Sequence, residues 1–327
     1  MRRSSSLATL IVALFNAPQA MAAPSERDLK TVNFTGPLIT PNPAGVRKGN
    51  WYIQPYLVRT DSKRIFDDAG KRQRLEVDSG DWSLLLPMSY GVSERLTGQI
   101  SLAAVRAESG SDRSDGFRMT GSSAGLLYLL QQPSTDGTRP AISVSLTQRF
   151  ATGNHDRITD NALNAQGDGV QRTTLGLGIQ QIIWMKNERP LRWRAHFSVS
   201  PTPERIAISG ASIYGTPPGF QGSMTRGSVL RASIGAEYSF NPRWVAVMEI
   251  AGTREGRQNL RGYVPATGNG IQPIYEQRPA SRSLSMAPAL QYHFNASVGL
   301  IAGVEFTLDG RNSADFIRPQ IALGMSF

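Results

Sequence analysis

The sequence predicts an all-β fold, a transmembrane antiparallel β-barrel of about 12 strands with short periplasmic turns and long extracellular loops. Three observations carry that prediction: an export signal with no later membrane helix, long stretches in which every second residue is apolar, and connections that alternate between short and long. At 327 residues with 40% apolar and 18% charged side chains the chain is too apolar and too weakly charged to be disordered. A single barrel accommodates this length as readily as two smaller domains do. The absence of Cys excludes disulfide scaffolds, thiolate metal sites, iron–sulfur clusters and Cys nucleophiles together.

Residues 1–22 read as a secretory signal peptide. Arg2 and Arg3 precede the apolar run from Leu7 to Phe15, and Ala20-Met21-Ala22 places small residues at the cleavage positions. Paired arginines also occur in twin-arginine signals, whose wider motif is missing here, so general secretion is expected. No later uncharged apolar stretch reaches the roughly 18 residues of a helical span. What remains is a soluble exported protein or a closed barrel, which crosses a bilayer without long apolar runs. Residues 23–49, with Pro24, Pro37, Pro41 and Pro43, read as irregular, either a plug folded into the barrel or a periplasmic leader. Residues 50–327 form the predicted barrel.

Strand segments follow in order near residues 50–59, 81–92, 96–106, 118–131, 140–151, 172–185, 190–200, 228–240 and 242–253, and three more close the chain. In the last, Ile317, Pro319, Ile321, Leu323, Met325 and Phe327 alternate with Arg318, Gln320, Ala322, Gly324 and Ser326. The same period-two pattern runs through Val298 to Phe306 and Leu284 to Phe294, which is a strand signal. Globular strands average about five or six residues, whereas tilted membrane strands need about nine to eleven. These segments have membrane length. Short links fall at Ser93-Glu94-Arg95, 133–138, 186–189, Asn241-Pro242-Arg243 and Asn295-Ala296. Longer ones span 60–80, 107–116, 152–171, 201–227, 254–281 and 308–315.

Tyr90, Trp184, Phe240, Trp244, Phe294 and Phe327 lie beside the short links or the C-terminus, where they would form a periplasmic aromatic girdle. Phe327 also ends an alternating strand, which resembles the C-terminal sorting signal of bacterial outer-membrane proteins. That resemblance implies the barrel-assembly machinery as a partner and the bacterial outer membrane as the location.

A family resemblance rests on Tyr90-Gly91-Val92-Ser93-Glu94-Arg95-Leu96, Gly125-Leu126-Leu127-Tyr128-Leu129-Leu130, Arg139-Pro140 and Arg149-Phe150-Ala151-Thr152-Gly153-Asn154. Phe34-Thr35-Gly36-Pro37-Leu38 and Gly49-Asn50-Trp51-Tyr52-Ile53 fit the same pattern. Together they resemble a family of transporter-like outer-membrane barrels associated with the meta-cleavage pathway of phenol degradation. Ala151 stands where that family usually has Pro. The resemblance implies a barrel that takes up small hydrophobic or aromatic molecules.

With the apolar positions turned to lipid, Arg149, Arg192, Arg194, Arg231 and Arg318 face the lumen, along with Glu237, Glu249, Glu305, Gln99, Gln291 and His293. The excess of arginine points to a pore favouring anions or aromatic acids, through guanidinium groups that bind carboxylates. Ion pairing across strands is the alternative reading of the same charges. An eight-stranded barrel is filled by its own side chains, so about twelve strands leave a lumen that is either used or plugged.

Chemistry finds little support. His155-Asp156, with Asp160 nearby, is the one loop cluster with catalytic residue types, and no third group orients a base. His196 lies between Arg194 and Ser198 as a lumen-facing polar residue, and metal-ligand spacing is absent. Ala151-Thr152-Gly153-Asn154 and Gly176-x-Gly178 lack the spacing of a phosphate loop. No enzyme activity and no cofactor are expected. The formal charge of +10 is dispersed, without the basic stripe that nucleic acid would require. Loop cations such as Arg254, Arg257, Arg261 and Arg278 suit anionic lipopolysaccharide. The expected function is passive uptake of small molecules; a closed structural or adhesive barrel is the alternative, with an outer-membrane hydrolase behind it.

Overall fold

The computed structural model describes residues 32–156, 158, 161–266 and 270–327, so the signal-peptide reading and Asp160 lie outside the described residues. Twelve strands build the barrel. In chain order they are β1 (Tyr56–Phe66), β2 (Arg72–Gly91), β3 (Leu96–Ser109), β4 (Ser122–Gln131), β5 (Ala141–Phe150), β6 (Arg172–Trp184), β7 (Pro190–Ser200), β8 (Val229–Ser239), β9 (Trp244–Glu255), β10 (Ser281–His293), β11 (Val298–Arg311) and β12 (Ser313–Ser326). Each pairs antiparallel with the next, and β12 returns to β1 through Ile317↔Asp61, Gln320↔Val58 and Ile321↔Leu57, closing the wall. The lead-in Trp51–Ile53 extends β1 toward the periplasm and bridges β12 and β2, interrupted at Gln54-Pro55, where proline has no N–H to give a ladder.

Side-chain alternation explains why these residues form this wall. On β8, Leu230, Ala232, Ile234 and Ala236 point out while Arg231, Ser233, Gly235 and Glu237 point in. Ile100, Leu126, Leu146, Leu175, Phe197, Ile250, Leu290 and Ile321 continue the exposed apolar band around the barrel. Contact with lipid tails, not with a protein core, is what this band is built for.

The short turns close through side-chain acceptors that the local sequence supplies. Asn241 Oδ1 accepts the N–H groups of Arg243 at 2.9 Å and Trp244 at 3.0 Å. Asn295 Oδ1 does the same for Ser297 and Val298, both at 2.8 Å. Each is an Asx turn, the reason Asn opens these links.

The longer connections depart from expectation. Residues 60–80 were expected as loop, yet β1 runs to Phe66 and β2 starts at Arg72, leaving a tight turn at 67–71. Residues 308–315 reduce to a reversal at Asn312, in the left-handed region at φ 49°. Beyond the membrane neither face needs to be apolar, so the ladder continues where the alternation signal stops. Segments 201–227 and 254–281 together form a separate four-stranded antiparallel sheet, Ile206–Ser209, Gln221–Thr225, Gln258–Pro265 and Ile271–Arg278. Its core is Ile206, Ile208, Tyr214, Phe220, Met224 and Leu260, joined by Val170 from the 152–171 loop.

Candidate functional site: the barrel lumen

The periplasmic half of the lumen is occupied by the chain's own residues 33–46. The arch starts at the periplasmic rim, where Asn33 Nδ2 donates to Pro242 O at 3.3 Å. It climbs along β9 and β10: Thr35 N–H donates to Gln291 Oε1 at 3.0 Å, and Gln291 Nε2 donates to Gly36 O at 3.1 Å. At mid-barrel three successive N–H groups converge on the Glu249 carboxylate, from Leu38 at 2.7 Å, Ile39 at 3.1 Å and Thr40 at 2.6 Å. The chain then crosses to the opposite wall, with Pro43 against Gly178, Ala44 beside Leu127 and Leu129, and Val46 N–H on Thr97 Oγ1 at 3.0 Å. It leaves past Gly91, where a Cβ would stand 1.9 Å from Arg47 O; only glycine admits this approach.

Prolines at 37, 41 and 43 leave fewer N–H groups to satisfy in an irregular buried segment; Glu249 accepts three of the rest, Gln291 one, and Asn42 and Thr97 one each. Apolar packing completes the seat: Leu38 lies among inward Val245, Val247, Ile301 and Ala322, with Phe34, Ile39 and Tyr56 at its edge. The inward apolar residues of β9 and β11 were not recognised as a seat in the sequence, although their breach of the polar-in pattern was a readable signal.

Most of the lumen charges are committed. Glu237, fully buried, accepts a two-point contact from Arg192 at 2.7 and 2.8 Å, a third from Arg194 at 3.1 Å and a fourth from Gln291 at 2.7 Å. Phe34 stacks on the Arg192 guanidinium, 4.1 Å from ring centroid to Cζ. Arg318 pairs with Glu305 at 2.9 Å, and Ser285 donates to the same carboxylate at 2.7 Å. Arg149 pairs with Asp168 of the 152–171 loop at 2.8 Å. Glu249 has no ion pair among the described residues; it holds the arch. Of the five inward arginines, Arg231 stands apart: among the described residues its guanidinium makes no hydrogen bond or ion pair, and it is exposed to the lumen. Four of the five inward arginines are thus held by carboxylates, which is the ion-pairing alternative, and Arg231 is left without an ion pair among the described residues.

The extracellular mouth is tied to the small sheet. Asp168 also lies 3.8 Å from Arg226, which binds Glu255 at 2.8 Å, and Glu255 lies 3.8 Å from Arg172. Tyr214 Oη donates to Asp168 O. Burial pushes the Asp168 carboxyl up, but the hydrogen bond and charge of Arg149, the Val170 N–H and Arg226 outweigh it and hold the group below the usual carboxylate range.

At the periplasmic end Trp51 packs on Tyr90, Tyr238 on Phe240, and Tyr292 on both Trp244 and Phe294, all with centroids 4.8–5.2 Å apart. Phe327 is exposed and exchanges backbone hydrogen bonds of 3.0 Å with Trp51. Trp184 departs from the girdle expectation. It shares the lumen parity of Ile182, opposite the outward Ile183, and its Nε1 donates to Asp136 O at 3.1 Å, so it braces the 132–140 turn. His155 Nδ1 stands 3.9 Å from Asp156 Oδ1, and its ring packs over Gly169.

No family profile matches the chain, and no curated protein matches it in sequence. Among solved structures it is similar to an outer-membrane channel from Pseudomonas putida F1, with a TM-score of 0.62 and 14% identity over 89% of this chain and 100% of that one. That likeness establishes the outer-membrane barrel fold. Fainter likenesses are to the Pseudomonas putida toluene transporter TodX, at TM-score 0.39 and 12% identity over 86% and 90% of the two chains, and to the translocator domain of the autotransporter NalP from Neisseria meningitidis, at 0.42 and 14% over 85% and 87%.

Proposed function

We propose that this protein is an outer-membrane channel for passive uptake of small molecules, with residues 33–46 as a plug in its periplasmic half. The observation that carries the reading is the lumen itself: twelve strands enclose more space than their side chains fill, and what fills the lower half is an irregular segment held by Glu249, Gln291 and Thr97 and by apolar packing around Leu38. The upper half carries Ser, Thr and Gly beside the ion pairs at the mouth and Arg231. Likeness to a channel in fold supports the same reading. The family resemblance adds small hydrophobic or aromatic compounds associated with phenol breakdown as the substrate class. Lipopolysaccharide would meet the exposed Arg254, Arg257 and Arg261, and the β12 strand ending in Phe327 would present the assembly signal.

The test is planar-bilayer conductance of the refolded chain and of a variant lacking residues 23–49. Small unitary currents from the intact chain, enlarged in the variant, are expected. No current in either would sink the channel reading and leave a closed scaffold that presents the extracellular sheet, with its exposed Tyr263, Ile271 and Tyr275.

A further inference from the structure

The lumen wall just above the arch carries one charged side chain in an otherwise small, hydroxyl-rich row. Following cross-strand partners from β5 to β11, the row reads Ser145, Gly176, Ser198, Arg231, Thr253, Ser283 and Gly310, each paired directly with the next. All share the lumen face, because direct cross-strand partners point the same way. One step toward the periplasm lies the row containing Ser143, Gly178, His196 and Ser233, where Pro43 of the arch rests on Gly178. The Arg231 row is thus the floor of the extracellular vestibule.

We infer that this floor is a binding site for a small oxyanion, with Arg231 as the charged donor and the hydroxyls of Ser198 and Thr253 beside it. A guanidinium inside a wall of low dielectric, without a carboxylate on it, attracts an anion more strongly than the same group in bulk water does. Its planar donors fit a carboxylate or phosphate edge. The two hydroxyls flank it as immediate cross-strand neighbours, close enough to donate to the same ligand. Ser198 and Thr253, the direct cross-strand neighbours of Arg231, are small, whereas the wall at Gly176 is already filled, a Cβ there standing 2.4 Å from Ser145 Oγ and 2.8 Å from His196 Nε2.

The charges at the mouth favour the same ligand. Among the described residues Arg149, Arg172, Arg226 and Arg231 gather near two carboxylates, Asp168 and Glu255; the first three engage them as ion pairs, while Glu255 acts on Arg231 only at longer range. A dissolved anion meets an entrance with four arginines against two carboxylates and then, at its base, the Arg231 guanidinium, which has no ion pair among the described residues. The inference deepens the uptake reading by assigning its substrates a carboxylate or phosphate group.

Two arms test it. In the first, benzoate and inorganic phosphate are titrated separately into the detergent-solubilised full chain by calorimetry. Binding of either is expected, weakened about tenfold or more in Arg231→Gln, largely kept in Arg231→Lys, and weakened less in Ser198→Ala. Preference for benzoate would assign an organic acid, and preference for phosphate a phosphorylated solute. In the second, reversal potentials in a KCl gradient are expected to show chloride preference that falls in Arg231→Gln. Binding that is absent in the wild type, or equal in Arg231→Gln, overturns the site. Calorimetry needs no current, so Arg231-dependent binding in a silent barrel keeps the site and removes the channel, whereas currents without such binding do the reverse.

Discussion

Two buried carboxylates in the same lumen are stabilised in different ways. Glu237 meets two guanidinium groups and an amide, while Glu249 meets three backbone N–H groups of a crossing segment. Replacing one partner of a buried ion cluster leaves uncompensated charge, so Glu237→Ala should cost about 3–5 kcal/mol, read as a lower temperature of heat-induced unfolding in detergent. Asp168 acts at the mouth instead. Its depressed carboxyl contributes stability that is fully present above the ordinary value of 3.8 and is lost as pH falls through the lower folded value. Amide protection at Val170 and Tyr214 should therefore hold at about pH 5 and weaken near about pH 3, and Asp168→Asn should lose it at both. Unchanged protection in the variant would show that the loop is held by the apolar cluster alone. The two-residue period places five arginines on the lumen side of the wall. Which of them are already neutralised was not legible from it, because Glu237 lies 45 residues from Arg192 and only the β7–β8 register brings them together.

At the scale of elements, the arch and the wall differ in what their sequences announce. The wall strands declare themselves because lipid demands an apolar residue at every second position, and the short turns because Asn and Pro set them. The arch has no such period. Its residues satisfy an environment made by Glu249, Gln291, Thr97 and Val245, which lie far apart in sequence and come together only in the folded barrel. The extracellular sheet was hidden for a related reason: its four short strands come from two loops and share a core that neither loop has alone. The arch should be separable from the wall. Glu249→Ala removes the acceptor for three consecutive N–H groups, so unitary conductance should rise toward that of the chain lacking residues 23–49 while the barrel stays folded on heated gels. Gln291→Ala, which removes one acceptor and one donor from the arch, should have a smaller effect. Equal conductance in Glu249→Ala and the unaltered chain would mean that apolar packing around Leu38 suffices to hold the segment.

For the whole molecule, the depth of the membrane can be read from β8 and β9. Leu230 sits opposite Arg254 at the extracellular edge of the apolar band, while Tyr238, Phe240 and Trp244 mark the periplasmic edge. Ten residues at about 3.4 Å each, tilted about 45°, cover roughly 24 Å, close to the apolar band of outer-membrane barrels. Ile234, 51% exposed and paired with Ile250, falls midway. An arginine there must stand in hydrocarbon or bend toward a distant interface, whereas at Leu230 it reaches headgroups at once and joins Arg254. Ile234→Arg should cost about 2–4 kcal/mol and Leu230→Arg about 0–1 kcal/mol, measured by reversible folding into lipid vesicles. Ser233→Arg, one residue away but lumen-facing, should respond to solution salt instead of bilayer thickness. If Ile234→Arg and Leu230→Arg cost the same, the lipid boundary does not lie where the aromatic girdle and Arg254 place it, and the vestibule floor at Arg231 would then sit at a different depth in the membrane.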